Sequence, residues 1–97
     1  MVRPQPAGED IATRRRRLRY RAWHRGTQEM DLVLGPYADA YLEGMDAGQL
    51  DRLEGLMEEE DTDLLKWVMG QEAPPARIDK DLLDALVVFI EARARIR

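Results

Sequence analysis

Arg25 and Glu29 stand either side of a glycine in the stretch Arg25-Gly26-Thr27-Gln28-Glu29-Met30-Asp31. A guanidinium is a planar fork of donors suited to a carboxylate or phosphate. A carboxylate accepts from such a fork, or from the free N–H groups at a helix start. Glycine permits positive φ or close approach of another backbone. Two chemistries fit this pattern. If Gly26 is a helix N-cap, Glu29 falls at the third helical position and can reach back to free N–H groups, while Arg25 serves the end of the preceding helix. If the junction is a docking site, Arg25 and Glu29 are both solvent-reachable and engage a partner, with Asp31 as a further acid. The two are compatible, because capping holds a docking pair rigid. Trp23 and His24 precede the motif directly. Trp23 reads as a half-exposed apolar anchor, and His24 as a surface or capping group beside it.

Other chemistry is thin. The chain has no cysteine and one histidine, so thiolate chemistry, disulfides and multi-histidine metal sites are excluded. No nucleophile stands beside a base, so no catalytic residue is assigned. No glycine-rich phosphate loop follows a strand, and the expected chain binds neither cofactor nor metal stably. The acids Glu58 to Asp61 are consecutive on a helix end; they point in different directions and do not converge.

The elements that must position the motif are all helical. Asp10 to Arg25 forms the first, capped by Asp10, with Ile11, Leu18 and Ala22 on one face. The second starts at the motif and carries the clearest stripe: Met30, Val33, Leu34, Tyr37, Ala38, Tyr41 and Leu42. Gly35-Pro36 predicts a kink or two abutting helices there. Asp46 with Gln49 fits a capping box for a third helix, Ala47 to Glu59, with Leu50, Leu53 and Met57 inward and Leu56 at the edge of the stripe. A fourth, Thr62 to Met69, is capped by Asp61 and stopped by Gly70; Leu64, Leu65, Val68 and Met69 face inward, with Trp67 in the core. The fifth runs from Asp79 to the end, with Leu82, Leu86, Phe89 and Ile90 inward. No β alternation appears. The expected fold is all-α, a compact five-helix bundle in one domain over 10–97, after a disordered tail over 1–9. The length of 97 residues suits a single domain.

Charge is polarised. Residues 1–30 hold eight arginines against three acids, residues 31–73 twelve acids against two bases, and the whole chain carries a net −4. Such a dipole favours oriented docking on a charged partner. Arg14 to Arg17 go all round a helix and so predict a solvated turn. They also raise an alternative, a basic-helix nucleic-acid-binding protein; an antitoxin-like regulatory protein stands beside it with no residue basis of its own. The acidic balance and the lack of interleaved aromatics in the run weigh against nucleic acid. No apolar run reaches the roughly 20 residues of a membrane span, and no secretory h-region is present. A cytoplasmic monomer is expected.

The motif, with the block Tyr20 to Asp31 around it, resembles the FAD assembly factors, or flavinators, of succinate dehydrogenase. The block Leu56 to Gly70, with Asp61-x-Asp63-Leu64 and Leu65-Lys66-Trp67-Val68-Met69, resembles the second block of that family, and the likeness covers most of residues 11–95. Thr62 departs from it, since many relatives carry proline there. The resemblance implies a small helical assembly factor, not an enzyme. It implies binding to the flavoprotein subunit of succinate dehydrogenase, and possibly of fumarate reductase. It also implies promotion of the bond between FAD and a histidine of that client. Arg25, Gly26, Glu29, Asp31, Trp23 and His24 are the candidate partner-binding residues, and His24 is not the flavin carrier.

Overall fold

The computed structural model describes residues 9–95. The tail expected over 1–9 lies almost wholly outside them. Five α-helices follow in order, and no strand occurs among the described residues: α1 Ile11–Trp23, α2 Gln28–Tyr41, α3 Ala47–Met57, α4 Asp61–Val68 and α5 Lys80–Arg95. A single 3₁₀ turn, Leu42–Gly44, continues α2.

Local chemistry sets most of the boundaries. The Asp10 carboxylate accepts from the Thr13 N–H at 2.7 Å and starts α1. Asp46 and Gln49 form both bonds of the expected capping box on α3. Gly70 has φ +72°. Around it the N–H groups of Gly70 and Gln71 turn back to the carbonyls of Trp67 and Lys66, at 3.2 and 2.8 Å, and so close α4. Asp79 starts α5 by accepting from the Leu82 N–H at 3.1 Å.

The core is one cluster drawn from every helix. Leu18 and Ala22 of α1 meet Met30, Leu34, Tyr37 and Ala38 of α2. Leu50, Leu53, Leu56 and Met57 of α3, Leu64, Trp67 and Val68 of α4, and Leu82, Leu83 and Leu86 of α5 complete it. Burial of leucine and methionine on this scale is the main driving force for so small a domain. Trp67 is buried as expected, and its indole N–H finds no acceptor among the described residues. Val33, Phe89 and Ile90 are only partly buried. Ile11, Tyr41 and Met69, expected inside, are exposed at 41%, 47% and 63%. Ile11 and Tyr41 are the first and last residues of their helices, and Met69 follows the last residue of α4.

Of the kink or two abutting helices expected at Gly35-Pro36, two separate helices are not found: α2 runs unbroken through Pro36. The proline removes only the donor to the carbonyl of Leu32, four residues back, and Leu32 is exposed to solvent. Gly35 has its own reason. A Cβ there would fall inside the indole of Trp23, so glycine lets α1 and α2 close on each other.

Candidate partner-docking site

The motif sits where the end of α1, the start of α2 and the start of α4 converge. The first helix ends at Trp23, two residues earlier than expected, with His24 as its C-cap. Gly26 then takes φ +106°, a conformation glycine adopts without strain. Thr27, not Gly26, is the N-cap of α2, and its hydroxyl accepts from the Met30 N–H at 3.4 Å. An N-cap needs extended backbone, which Thr27 supplies at φ −126° and Gly26 does not. Glu29 therefore stands one position nearer the helix start than expected. It is exposed, and it makes no hydrogen bond or ion pair among the described residues.

Arg25 does the opposite. Its side chain is only 10% exposed. Nε donates to Asp61 Oδ1 at 2.9 Å, Nη2 to the Glu59 carbonyl at 2.8 Å, and Nη1 to the Met57 carbonyl. These carbonyls are the unpaired C-terminal groups of α3 and its turn, so Arg25 closes that helix and ties it to α4. The expectation that Arg25 is solvent-reachable is thus corrected. The expectation that Asp61 caps α4 also fails: Glu60 holds the cap position without a side-chain bond, and Asp61 lies inside the helix facing Arg25. Asp31 is structural as well, its carboxylate accepting the Arg25 backbone N–H at 2.7 Å. The junction is a frame of Arg25, Asp31, Thr27 and Asp61, and Glu29 projects from it. An open groove of about 430 Å³ lies beside the frame, with Glu58, Glu60 and Thr62 along its wall.

The two neighbours of the motif divide in the same way. Trp23 is half-buried against Gly35, and its Nε1 donates to Asp39 at 3.2 Å. His24 is exposed, stacked on Tyr20 at 4.0 Å, with Nδ1 at 2.7 Å from the Tyr20 carbonyl.

The arginine run is not the solvated turn its spacing suggested. Arg14 is buried at 8% exposure and forks onto Glu54 and Asp51. Arg17 bonds Glu9 at 2.8 and 3.0 Å and Glu54 at 3.0 Å, and Arg21 meets Glu58 at 3.3 Å. Arg15 caps the 3₁₀ turn by donating to the carbonyls of Leu42 and Met45 at 3.0 and 2.7 Å. Hydrogen bonds donated to Glu9 and Glu54 hold the Arg17 guanidinium above its ordinary range. Burial works against the charge on Arg14, and Asp51 and Glu54 outweigh it. A buried cation with paired carboxylates is a brace between α1 and α3. Of the four consecutive arginines only Arg16 is exposed. That leaves little of the run free for a polyanion, against the nucleic-acid alternative. The signal was present in the sequence. Arg14, Arg17 and Arg21 repeat at the same spacing as Asp51, Glu54 and Glu58, each 37 residues apart, which is the pattern of two helices running in the same direction.

Comparison with known proteins by sequence shows the family. Residues 16–90 match the family model described as flavinator of succinate dehydrogenase. An FAD assembly factor SdhE from Acetobacter pasteurianus is 36% identical over 81 residues, covering 84% of this chain and 74% of that protein. The mitochondrial succinate dehydrogenase assembly factor 2 of Aspergillus terreus is 41% identical over 70 residues, covering 72% of this chain and 23% of the longer fungal protein. A mitochondrial succinate dehydrogenase assembly factor 2-B from Drosophila mojavensis is 28% identical over 96% of this chain. No solved structure matches the chain significantly. With the family model covering most of the helical core, the chain belongs to the flavinators of succinate dehydrogenase, a family of assembly factors.

Proposed function

We propose that this chain binds the flavoprotein subunit of succinate dehydrogenase and promotes covalent attachment of FAD to a histidine of that subunit. The family and the names of its relatives support the client. The observation that carries the site is the contrast inside the motif: Arg25 is locked into the fold, and Glu29 stands exposed and unpaired on the rigid junction it makes. Glu29 is the motif's contact with the client, meeting a basic or N–H donor group there. Gly26 lies open, with nothing near the position of a Cβ, so a client backbone can approach it. The chain supplies no nucleophile or base. It holds the client in a geometry in which the bound flavin and its histidine align, and the client carries out its own modification. It acts in the cytoplasm and retains no flavin of its own.

The test is covalent flavin on the client, read by fluorescence in a denaturing gel, paired with thermal melts. Glu29→Ala should melt like wild type and lower flavinylation about tenfold or more, the loss typical of an interface anchor. Wild-type flavinylation by a folded Glu29→Ala protein overturns the contact. Stoichiometric flavin retained by the purified chain after dialysis overturns the assembly-factor reading in favour of a carrier.

A further inference from the structure

The chain has two Trp, three Tyr and one Phe, and four of these six gather at one place. Phe89 of α5 meets Tyr37 and Tyr41 of α2 edge-on at 5.4 and 5.6 Å. Trp23, from the end of α1, stands across a groove of about 430 Å³ whose walls include Pro36, Ala40, Phe89 and Arg93. A second groove of about 270 Å³, lined by Tyr37, Tyr41 and Met45, adjoins it and shares Ala40. Aromatic and arginine side chains around an unfilled groove are the composition of an interface centre.

The polar groups at the rim are not equivalent. Asp39 is already engaged, by Trp23 Nε1 at 3.2 Å and Arg19 Nε at 3.3 Å. Arg93 lies over the Phe89 ring at 5.6 Å and meets no carboxylate among the described residues. Among the described residues the groove therefore has an unpaired cation at its mouth.

One face of α2 joins this groove to the motif. Glu29, Leu32, Pro36 and Ala40 follow helical spacing, and Leu32 is 57% exposed. At about 1.5 Å per residue the line from Glu29 to Ala40 is about 16 Å long. It begins at an unpaired carboxylate, passes an exposed apolar side chain, and ends at an aromatic groove beside an unpaired guanidinium.

We infer that this face docks a segment of the flavoprotein subunit carrying the complementary order: a basic group against Glu29, a bulky apolar side chain in the groove of Trp23 and Phe89, and a carboxylate against Arg93. The inference rests on the proposed function and deepens it by naming the chemistry of the contact and a second anchor outside the motif.

Titration calorimetry with the purified apo-flavoprotein subunit tests it. Ala40→Trp fills the shared floor of both grooves from an exposed position, and Arg93→Glu reverses the free charge. Each should weaken binding at least tenfold, with melts close to wild type. If Ala40→Trp does not fold, Arg93→Glu carries the test. A spectroscopic reading is independent of affinity. In a Trp67→Phe background, which loses no indole hydrogen bond, Trp23 is the one remaining tryptophan, and its emission should shift to the blue as client covers it. If both variants bind within twofold of wild type while Glu29→Ala does not, the groove is overturned and the proposed function stands. Unchanged Trp23 emission at saturating client also overturns the groove. If wild type itself does not bind the subunit, the proposed function fails and the groove with it.

Discussion

Arg25 and Glu29 belong to one short motif but face different things, so substitution should separate them. Removing the Arg25 side chain leaves the carbonyls of Met57 and Glu59 without their side-chain donor, and Asp61 with only the Thr27 hydroxyl at 3.4 Å. Arg25→Ala should cost about 2–4 kcal/mol, the range for breaking a mostly buried ion pair that also satisfies backbone carbonyls. Urea unfolding would show the loss directly, and Glu29→Ala should show almost none. Lysine keeps the charge of Arg25 but not the fork that reaches three acceptors, so Arg25→Lys should recover only part of the stability. Gly26→Ala should cost about 1–2 kcal/mol from its positive φ alone, since the space beside it is open. A loss well above that would mean the junction cannot relax around a Cβ.

At the scale of elements, two glycines in helices make a matched comparison. Helix propensity favours alanine over glycine by about 1 kcal/mol at an interior position. Gly55 in α3 has open space around its Cβ position, so Gly55→Ala should stabilise the protein by about 0.5–1 kcal/mol. Gly35 lies against the Trp23 ring, and Gly35→Ala should destabilise by about 1–3 kcal/mol net, because overpacking exceeds the propensity gain. Thermal or urea melts of the two variants should move in opposite directions. These helices also mark what was legible in the sequence. The caps at Asp10 and Asp46, the stop at Gly70 and the stripe of α3 follow from short-range rules and are present, as is the stripe of α2 apart from exposed Tyr41 and half-buried Val33. The close packing of α1 on α2 at Gly35 and the burial of Arg25 were not legible. Each depends on a group more than ten residues away, Trp23 for the packing at Gly35 and Asp61 for Arg25, and local periodicity carries no record of such neighbours.

For the whole molecule, carboxylates held by hydrogen-bond donors at helix starts shape the response to acid. Glu9 is held below its usual range by the hydrogen bond from Arg17, and Asp79 by that from Arg52. The backbone N–H of Thr13 does the same for Asp10. Each of these groups binds a proton more readily in the unfolded chain than in the folded one. Their contribution is therefore fully present above the ordinary carboxylate range and is lost as pH falls through and below about 4. Melting temperature should be flat with respect to these groups from about pH 7 to 5 and then drop steadily toward pH 3. Glu9→Gln should shrink the drop; an unchanged profile would remove Glu9 from the cause. The polarised sequence, basic at its start and acidic in its middle, is the one-dimensional trace of the pairing between α1 and α3. It was legible as a dipole, but its use as internal bracing required the matched spacing of the two stripes to be recognised.

The bracing role of Arg25 has a consequence inside a living cell. A protein that has lost a few kcal/mol of stability is thinned out by proteases, while one that has lost a contact persists at full abundance and fails to engage. On the proposed function, cells carrying Arg25→Ala should regain flavinylated enzyme when the gene is overexpressed or growth is cooled, because more folded copies survive. Cells carrying Glu29→Ala should keep normal amounts of the factor and respond weakly to either treatment. Two substitutions four residues apart would then look alike as growth defects and separate under gene dosage and temperature.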